Sequence, residues 1–180
     1  VNAGGIIKTP ADTYISEDRF EREWNSFFLN HPQIIGLSGD LPKPNTYLTT
    51  EDFGSPVLAV RNDSGEFKAY ANVCSHRGVT VESGERGEKT KFSCPFHGWT
   101  FDNEGKLVGY PKKEQFGDID KDCYGLKELP AIEKFGFLWV HPCTDGVINL
   151  DDLLGEKLLT EFESWDCLLY TSDAADDPYG

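Results

Sequence analysis

Two short segments carry side chains suited to holding metal: Cys74-Ser75-His76-Arg77-Gly78 and Cys94-Pro95-Phe96-His97-Gly98-Trp99. Together they spell C-x-H, seventeen intervening residues, and C-x-x-H. Each segment offers one soft thiolate and one imidazole. In a [2Fe-2S] cluster each iron is tetrahedral, and the bridging sulfides leave four positions in all for the protein. Cys74, His76, Cys94 and His97 meet that count. Imidazoles in place of two thiolates make such a cluster less negative and raise its reduction potential above that of an all-cysteine centre. Each imidazole also keeps a second ring nitrogen for a hydrogen bond or a proton. Zinc is the alternative occupant, but zinc modules pair like ligands locally, whereas both segments here run Cys then His. Gly78 and Gly98 stand where a loop must turn closely around a metal group. Arg77 and Trp99 adjoin the histidines and are candidates for shaping their surroundings. His31, His141, Cys123 and Cys143 have no ligand-like companions and read as structural or surface positions.

The elements that must position these residues are legible in outline. Ser16 can cap a helix whose first turn holds Glu17 and Asp18. Phe20, Trp24, Phe27 and Phe28 then share one face at helical spacing, as a docking stripe would. After His31-Pro32 the pattern changes to short β-rich runs at 46–50, 57–61, 67–73 and 135–141. Asn62-Asp63-Ser64-Gly65 and Asp102-Asn103-Glu104-Gly105 are hairpin signals. Leu150, Leu153, Leu154, Leu158 and Phe162 recur at helical spacing behind Asn149, Asp151 and Asp152, which predicts a helix leading away from the β region. The expected fold is all-β, an antiparallel domain with two metal-binding loops and short flanking helices.

Composition narrows the function classes. The 180 residues are 38% hydrophobic, enough for one globular domain with a core. The formal charge of −14 argues against nucleic-acid phosphates as a partner. No apolar run is long enough to span a membrane and no signal-peptide layout opens the chain, so a cytoplasmic protein without membrane contact is expected. Five cysteines at irregular spacing do not make a disulfide scaffold.

At Cys74-Ser-His-Arg-Gly78 and Cys94-Pro-Phe-His-Gly-Trp-Thr-Phe-Asp-Asn-Glu-Gly-Lys-Leu107, with Asp40-Leu-Pro-Lys-Pro44 and Tyr47 upstream, the chain resembles the N-terminal part of the large subunit of Rieske non-heme iron oxygenases, the aromatic-ring-hydroxylating type. The resemblance runs from about Tyr14 to Asp166. It implies that Cys74 and Cys94 bind one iron of the [2Fe-2S] cluster and His76 and His97 the other, and that the domain passes single electrons. The cytochrome bc branch carries an extra cysteine in each loop and a serine that donates to a sulfide; here those places hold Val79, Phe96 and Trp99, which implies the lower potential of the oxygenase branch. The resemblance also implies an oxidoreductase, a mono- or dioxygenase fed by a ferredoxin or flavin reductase using NAD(P)H. Its mononuclear Fe(II) would sit in a C-terminal domain that this chain does not contain, and the intact subunit would be a homotrimer. A free-standing Rieske ferredoxin is the alternative; the leading aromatic helix and the Leu-rich helix favour the oxygenase.

The expected organisation is a lead and helix over 1–30, the cluster domain over 31–145, and a connecting helix over 146–166. Residues 167–180 read as translated sequencing adaptor, without whose three aspartates the formal charge is −11. Catalytic residues are expected in none of these segments, because the iron triad and the substrate pocket would belong to the absent domain.

Overall fold

The computed structural model describes residues 8–117 and 119–165. Its strands are β1 (Gln33–Leu37), β2 (Thr46–Thr50), β3 (Val57–Arg61), β4 (Phe67–Ala71), β5 (Arg86–Glu88), β6 (Lys91–Ser93), β7 (Thr100–Asp102), β8 (Leu107–Gly109), β9 (Glu128–Leu129), β10 (Ala131–Lys134) and β11 (Phe137–Val140). The strands form three antiparallel sheets, in the orders β1-β11-β10, β5-β2-β3-β4-β9 and β6-β7-β8. Short helices flank them: α1 (Asp12–Ile15), α2 (Glu17–Glu23), α3 (Lys113–Phe116) and α4 (Leu150–Trp165). The all-β class and the antiparallel pairing match the expectation.

The five-stranded sheet is the central layer, and β3 shows why. Its run Val57-Leu58-Ala59-Val60 is buried throughout, as a strand covered on both faces must be. Leu58 and Val60 enter one core with Tyr47, Tyr70, Phe92, Trp99, Phe101 and both cluster-motif cysteines. Val57 and Ala59 enter a second core with Leu41, Leu48, Phe67, Leu138 and Val140. The period-two alternation of side chains thus serves two cores at once. Each fully buried aliphatic side chain contributes about 1.5–3 kcal/mol. Arg61 ties the layers at the far end: its guanidinium meets Glu133 of β10 in a two-pronged pair at 2.9 and 3.0 Å, and its Nε donates to the Leu41 carbonyl at 2.6 Å. That guanidinium, ahead of the opposing effect of burial, holds the Glu133 carboxyl below its ordinary range.

Both hairpin signals are turns. Asn62 Oδ1 accepts from the Ser64 and Glu66 amides, and Gly65 takes a φ of 83°. The second turn presses Gly105, at φ 72°, against the Tyr70 ring, where a Cβ would stand 2.5 Å from Tyr70 Cε1. Gly105→Ala therefore strains the backbone and collides with a core ring, and is expected to cost about 2–4 kcal/mol. Thermal unfolding checks this; an unchanged midpoint would contradict it.

Three local expectations need correction. The run 135–141 is not all strand: Phe135 and Gly136, at φ 56° and 85°, form the two-residue turn joining Lys134 to Phe137. That is the type I′ geometry whose twist suits a hairpin, here with an aromatic residue where glycine or asparagine is usual. The run 67–73 ends as β4 at Ala71, with Val73 paired singly to Thr80. Finally, α4 is not one continuous helix but is broken at Gly155 (φ 67°, ψ 163°), and its Phe162 packs on Phe135 and Phe137 at 5.8 and 5.6 Å.

Ser16 caps α2 as expected, its Oγ accepting from the Arg19 amide at 3.2 Å. The aromatic stripe that follows leaves α-helical spacing, because residues Trp24–Phe28 form a wider π turn closed by Leu29 N–H to the Trp24 carbonyl. Trp24 is half-buried beside Gly54, while Phe20, Phe27 and Phe28 remain exposed. Among the described residues no helix is long and apolar enough to cross a membrane. The segment 167–180, read above as adaptor, lies outside the described residues.

Candidate metal centre

The two candidate ligand segments fold as copies of one loop. In the first, the Cys74 amide donates to the Val79 carbonyl and the Gly78 amide to the Cys74 carbonyl, both at 2.8 Å. In the second, the Cys94 amide donates to the Trp99 carbonyl at 2.8 Å and the Gly98 amide to the Cys94 carbonyl at 2.9 Å. The closing glycines have φ values of 72° and 68°. That left-handed conformation is the reason for glycine at both places, since a Cβ at Gly78 would meet nothing within 4 Å. The histidine stands two residues after the cysteine in the first loop and three after it in the second. The two loops are therefore alike in backbone and unlike in the placement of the imidazole.

Different devices hold the loops at their bases. Asn72, 1% exposed, spans the first: its Nδ2 donates to the Glu82 carbonyl at 2.7 Å, and its Oδ1 accepts from the Val81 and Glu82 amides at 3.2 and 3.0 Å. The second is a hairpin arm, in which Phe92 faces Phe101 and the Ser93 and Thr100 hydroxyls meet at 2.8 Å. Ser75 Oγ donates to the Tyr124 carbonyl at 2.7 Å, so the segment after β8 is pinned across the first loop.

The Cys74 and Cys94 thiols are buried, free and part of one core cluster. The His76 and His97 rings lie 4.7 Å apart, inclined by 71°. Burial pushes the Cys74 thiol up, against the pull of the His76 and Arg77 backbone, and the neighbouring Cys94 adds to the rise. Burial also pulls His76 down, followed by the effects of His97 and Arg77. Burial thus disfavours the thiolate at Cys74 and the imidazolium at His76. His97 Nδ1 is buried with no hydrogen-bond partner among the described residues. Among the described residues no three His, Cys, Asp or Glu side chains converge on a point as a single ion would require. The four candidates comprise two thiols and two imidazoles, the ligand set of a Rieske two-iron cluster.

Aromatic rings pack around the two partly buried imidazoles. Trp99 stacks on His76 at 4.8 Å and 8°, and Phe116 of α3 presents its edge to both rings. Tyr124 edges onto Trp99 at 5.5 Å. Phe96, 57% exposed, leans on His97 at 3.8 Å. Arg77 is exposed beside His76. The residues read as structural have other engagements: His141 Nδ1 accepts from the Cys143 amide, the Cys143 thiol donates to the Leu29 carbonyl, Cys123 donates to Asp120, and His31 lies on Phe27. Sequence reasoning missed Asn72, Phe116 and Tyr124. Asn72 had a faint signal, as a strand-poor residue at the end of β4, whereas Phe116 and Tyr124 sit in polar, aperiodic sequence.

Behind the second loop, Tyr47 edges onto Phe92 at 5.3 Å, and its hydroxyl joins the buried Glu82. Glu82 also accepts from Lys89 Nζ at 2.5 Å and from the Gly84 amide at 2.8 Å. Burial alone would raise the Glu82 carboxyl, but Lys89, Gly84 and Tyr47 together hold it below its ordinary 4.5. Hydrogen bonding to Glu82 raises Lys89 above 10.5, and burial raises Tyr47 above 10.0. The Glu82 contribution is thus present above pH 4.5 and lost as pH falls through its folded value; those of Lys89 and Tyr47 are lost as pH rises past their ordinary values. Glu82→Gln is expected to cost about 1–3 kcal/mol near pH 7, less than a fully buried pair because Lys89 is half-exposed. The gap from the parent protein closes below pH 4.5. Denaturant unfolding at a series of pH values checks this, and a gap independent of pH would contradict it.

Against known proteins, the profile of the Rieske [2Fe-2S] domain matches residues 31–133. The large oxygenase component of a naphthalene 1,2-dioxygenase system from Ralstonia sp. is 40% identical over 141 residues, covering 76% of this chain and 29% of that protein. The alpha subunit of toluate 1,2-dioxygenase from Pseudomonas putida is 32% identical over 158 residues, covering 85% of this chain and 35% of that protein. Among solved structures, naphthalene 1,2-dioxygenase with indole in its active site superposes with a TM-score of 0.69 at 30% identity, over 77% of this chain and 31% of that one. The apo form of a quaternary ammonium Rieske monooxygenase superposes with a TM-score of 0.76 at 25% identity, over 87% and 46%. The chain spans roughly a third of the length of the curated relatives it matches. With paired loops that carry two thiols and two imidazoles, this chain belongs to the Rieske [2Fe-2S] domain family, and its relatives are the large subunits of ring-hydroxylating oxygenases.

Proposed function

We propose that Cys74, His76, Cys94 and His97 hold a [2Fe-2S] cluster and that the domain relays single electrons within an oxygenase large subunit. The observation that carries this reading is the arrangement of the donors, two buried thiols in one core cluster and, on the same two loops, two imidazoles 4.7 Å apart. The cluster supplies one-electron redox chemistry when bound. The chain's own residues do the rest. The closing glycines set the loop turns, Asn72 and the Ser93–Thr100 pair fix the loop bases, and the aromatic rings pack around the imidazoles. Exposed Phe96 and Arg77 leave the histidine side open to electron partners.

On this reading the electron donor is a ferredoxin or flavin reductase drawing on NAD(P)H in the cytoplasm. The acceptor is a mononuclear Fe(II) that activates O2, held in a C-terminal domain of the intact subunit and reached across a trimer. The organisation follows: a lead and helix over 1–30, the cluster domain over 31–145 and a connecting helix over 146–166. Anaerobic titration tests the relay. NADH with catalytic reductase and ferredoxin from a naphthalene dioxygenase system is expected to place one electron in each two-iron chain. A chain that dithionite reduces but such proteins never reduce would overturn the assignment of partners.

A further inference from the structure

Trp99 touches both loops in different ways. Its carbonyl accepts the Cys94 amide and so closes the second loop. Its indole lies flat on His76, which belongs to the first loop, at 4.8 Å and 8°. The matching residue of the first loop is Val79, which has no ring to offer His97. The two imidazoles are thus held unequally, His76 on a rigid plate and His97 under the exposed Phe96. The plate is itself fixed, since Trp99 is 2% exposed and takes the edges of Phe116 and Tyr124. Its Nε1–H is buried with no acceptor among the described residues.

We infer that Trp99 is a positioning residue that sets the ring plane of His76 and, through the electron-rich face of its indole, favours positive charge on that imidazole. This rests on the ligand assignment proposed above. An indole face stabilises an adjacent cation more than a phenyl face does, and an aliphatic side chain supplies no such attraction. The reduction midpoint should therefore rise in the order parent, Trp99→Phe, Trp99→Leu, as the oxidised form loses support.

The full chain is reconstituted as parent, Trp99→Phe, Trp99→Leu and Phe67→Leu. The last removes a buried aromatic from the second core, which contains no residue of either loop. Midpoints are read by potentiometry, and histidine nitrogen couplings by pulsed paramagnetic resonance on 15N-histidine protein. In Trp99→Leu the oxidised-to-reduced ratio at fixed potential should fall about threefold, a rise of about 28 mV for one electron, with one of the two histidine couplings altered. Trp99→Phe should fall between, and Phe67→Leu should keep the parent midpoint and couplings. Cluster loss from Trp99→Leu alone, with the intermediate shift in Trp99→Phe, supports the same assignment. Parent-like values in loaded Trp99→Leu, equal shifts in Phe67→Leu, or cluster loss from both Trp99 variants would overturn it. A parent chain that binds no cluster would instead overturn the ligand assignment beneath it.

Discussion

Cys94→Ala is expected to abolish cluster loading, with iron and acid-labile sulfide falling to background, while Cys123→Ala keeps the full complement. The two substitutions remove the same atom from different surroundings. Cys94 is 4% exposed, shares a core cluster with Cys74 and sits at the mouth of a loop closed by its own backbone hydrogen bonds. Cys123 is exposed and only donates to Asp120. Without Cys94 one iron would keep a single protein thiolate, and the Cys74 thiol would remain in surroundings that resist its ionisation. Iron and sulfide analysis of both proteins after identical anaerobic reconstitution checks this. Equal loss from both would contradict the ligand assignment.

Asn72→Leu is expected to be the most destabilising single change outside the metal ligands. The side chain is fully enclosed and serves the Val81 amide, the Glu82 amide and the Glu82 carbonyl. Leucine has about the right volume but leaves all three backbone groups buried without partners, at about 1–3 kcal/mol each before relaxation. A net loss of about 3–5 kcal/mol follows, lowering the thermal midpoint by roughly 6–20 °C. Because Asn72 spans the base of the first loop, the variant should also release its iron faster on dilution into chelator. Circular dichroism melting reads the first effect and chelator kinetics the second. An unchanged melt would show that the loop is held by something other than this side chain.

The candidate site was more legible in the sequence than the parts that support it. Cys74, His76, Cys94 and His97 stand out because metal ligation would demand particular side chains at short spacing, and little else produces that pattern. Runs 46–50 and 57–61 coincide with β2 and β3 because β-branched and apolar residues bounded by turn formers leave few alternatives. The failures share a physical cause, which is that tertiary contact overrode local pattern. Phe135 looks like a strand residue, yet it takes a left-handed turn conformation in which its ring packs on Phe162 and under Lys134. The Leu-rich segment has helical spacing, but Gly155 interrupts it, and Phe162 packs on Phe135 and Phe137. Phe116 and Tyr124 reach the histidine side from a stretch with no periodicity, so only the folded chain reveals them.

The paramagnetic resonance spectrum of the reconstituted full chain after dithionite reduction, taken with iron and sulfide counts, tests the ligand assignment most directly. The account predicts a rhombic signal of low average g with two irons and two sulfides per chain, distinct from the signal of an all-cysteine centre because imidazoles bind one iron. A silent sample holding stoichiometric zinc and no acid-labile sulfide would contradict it and leave the paired loops as a zinc-stapled module.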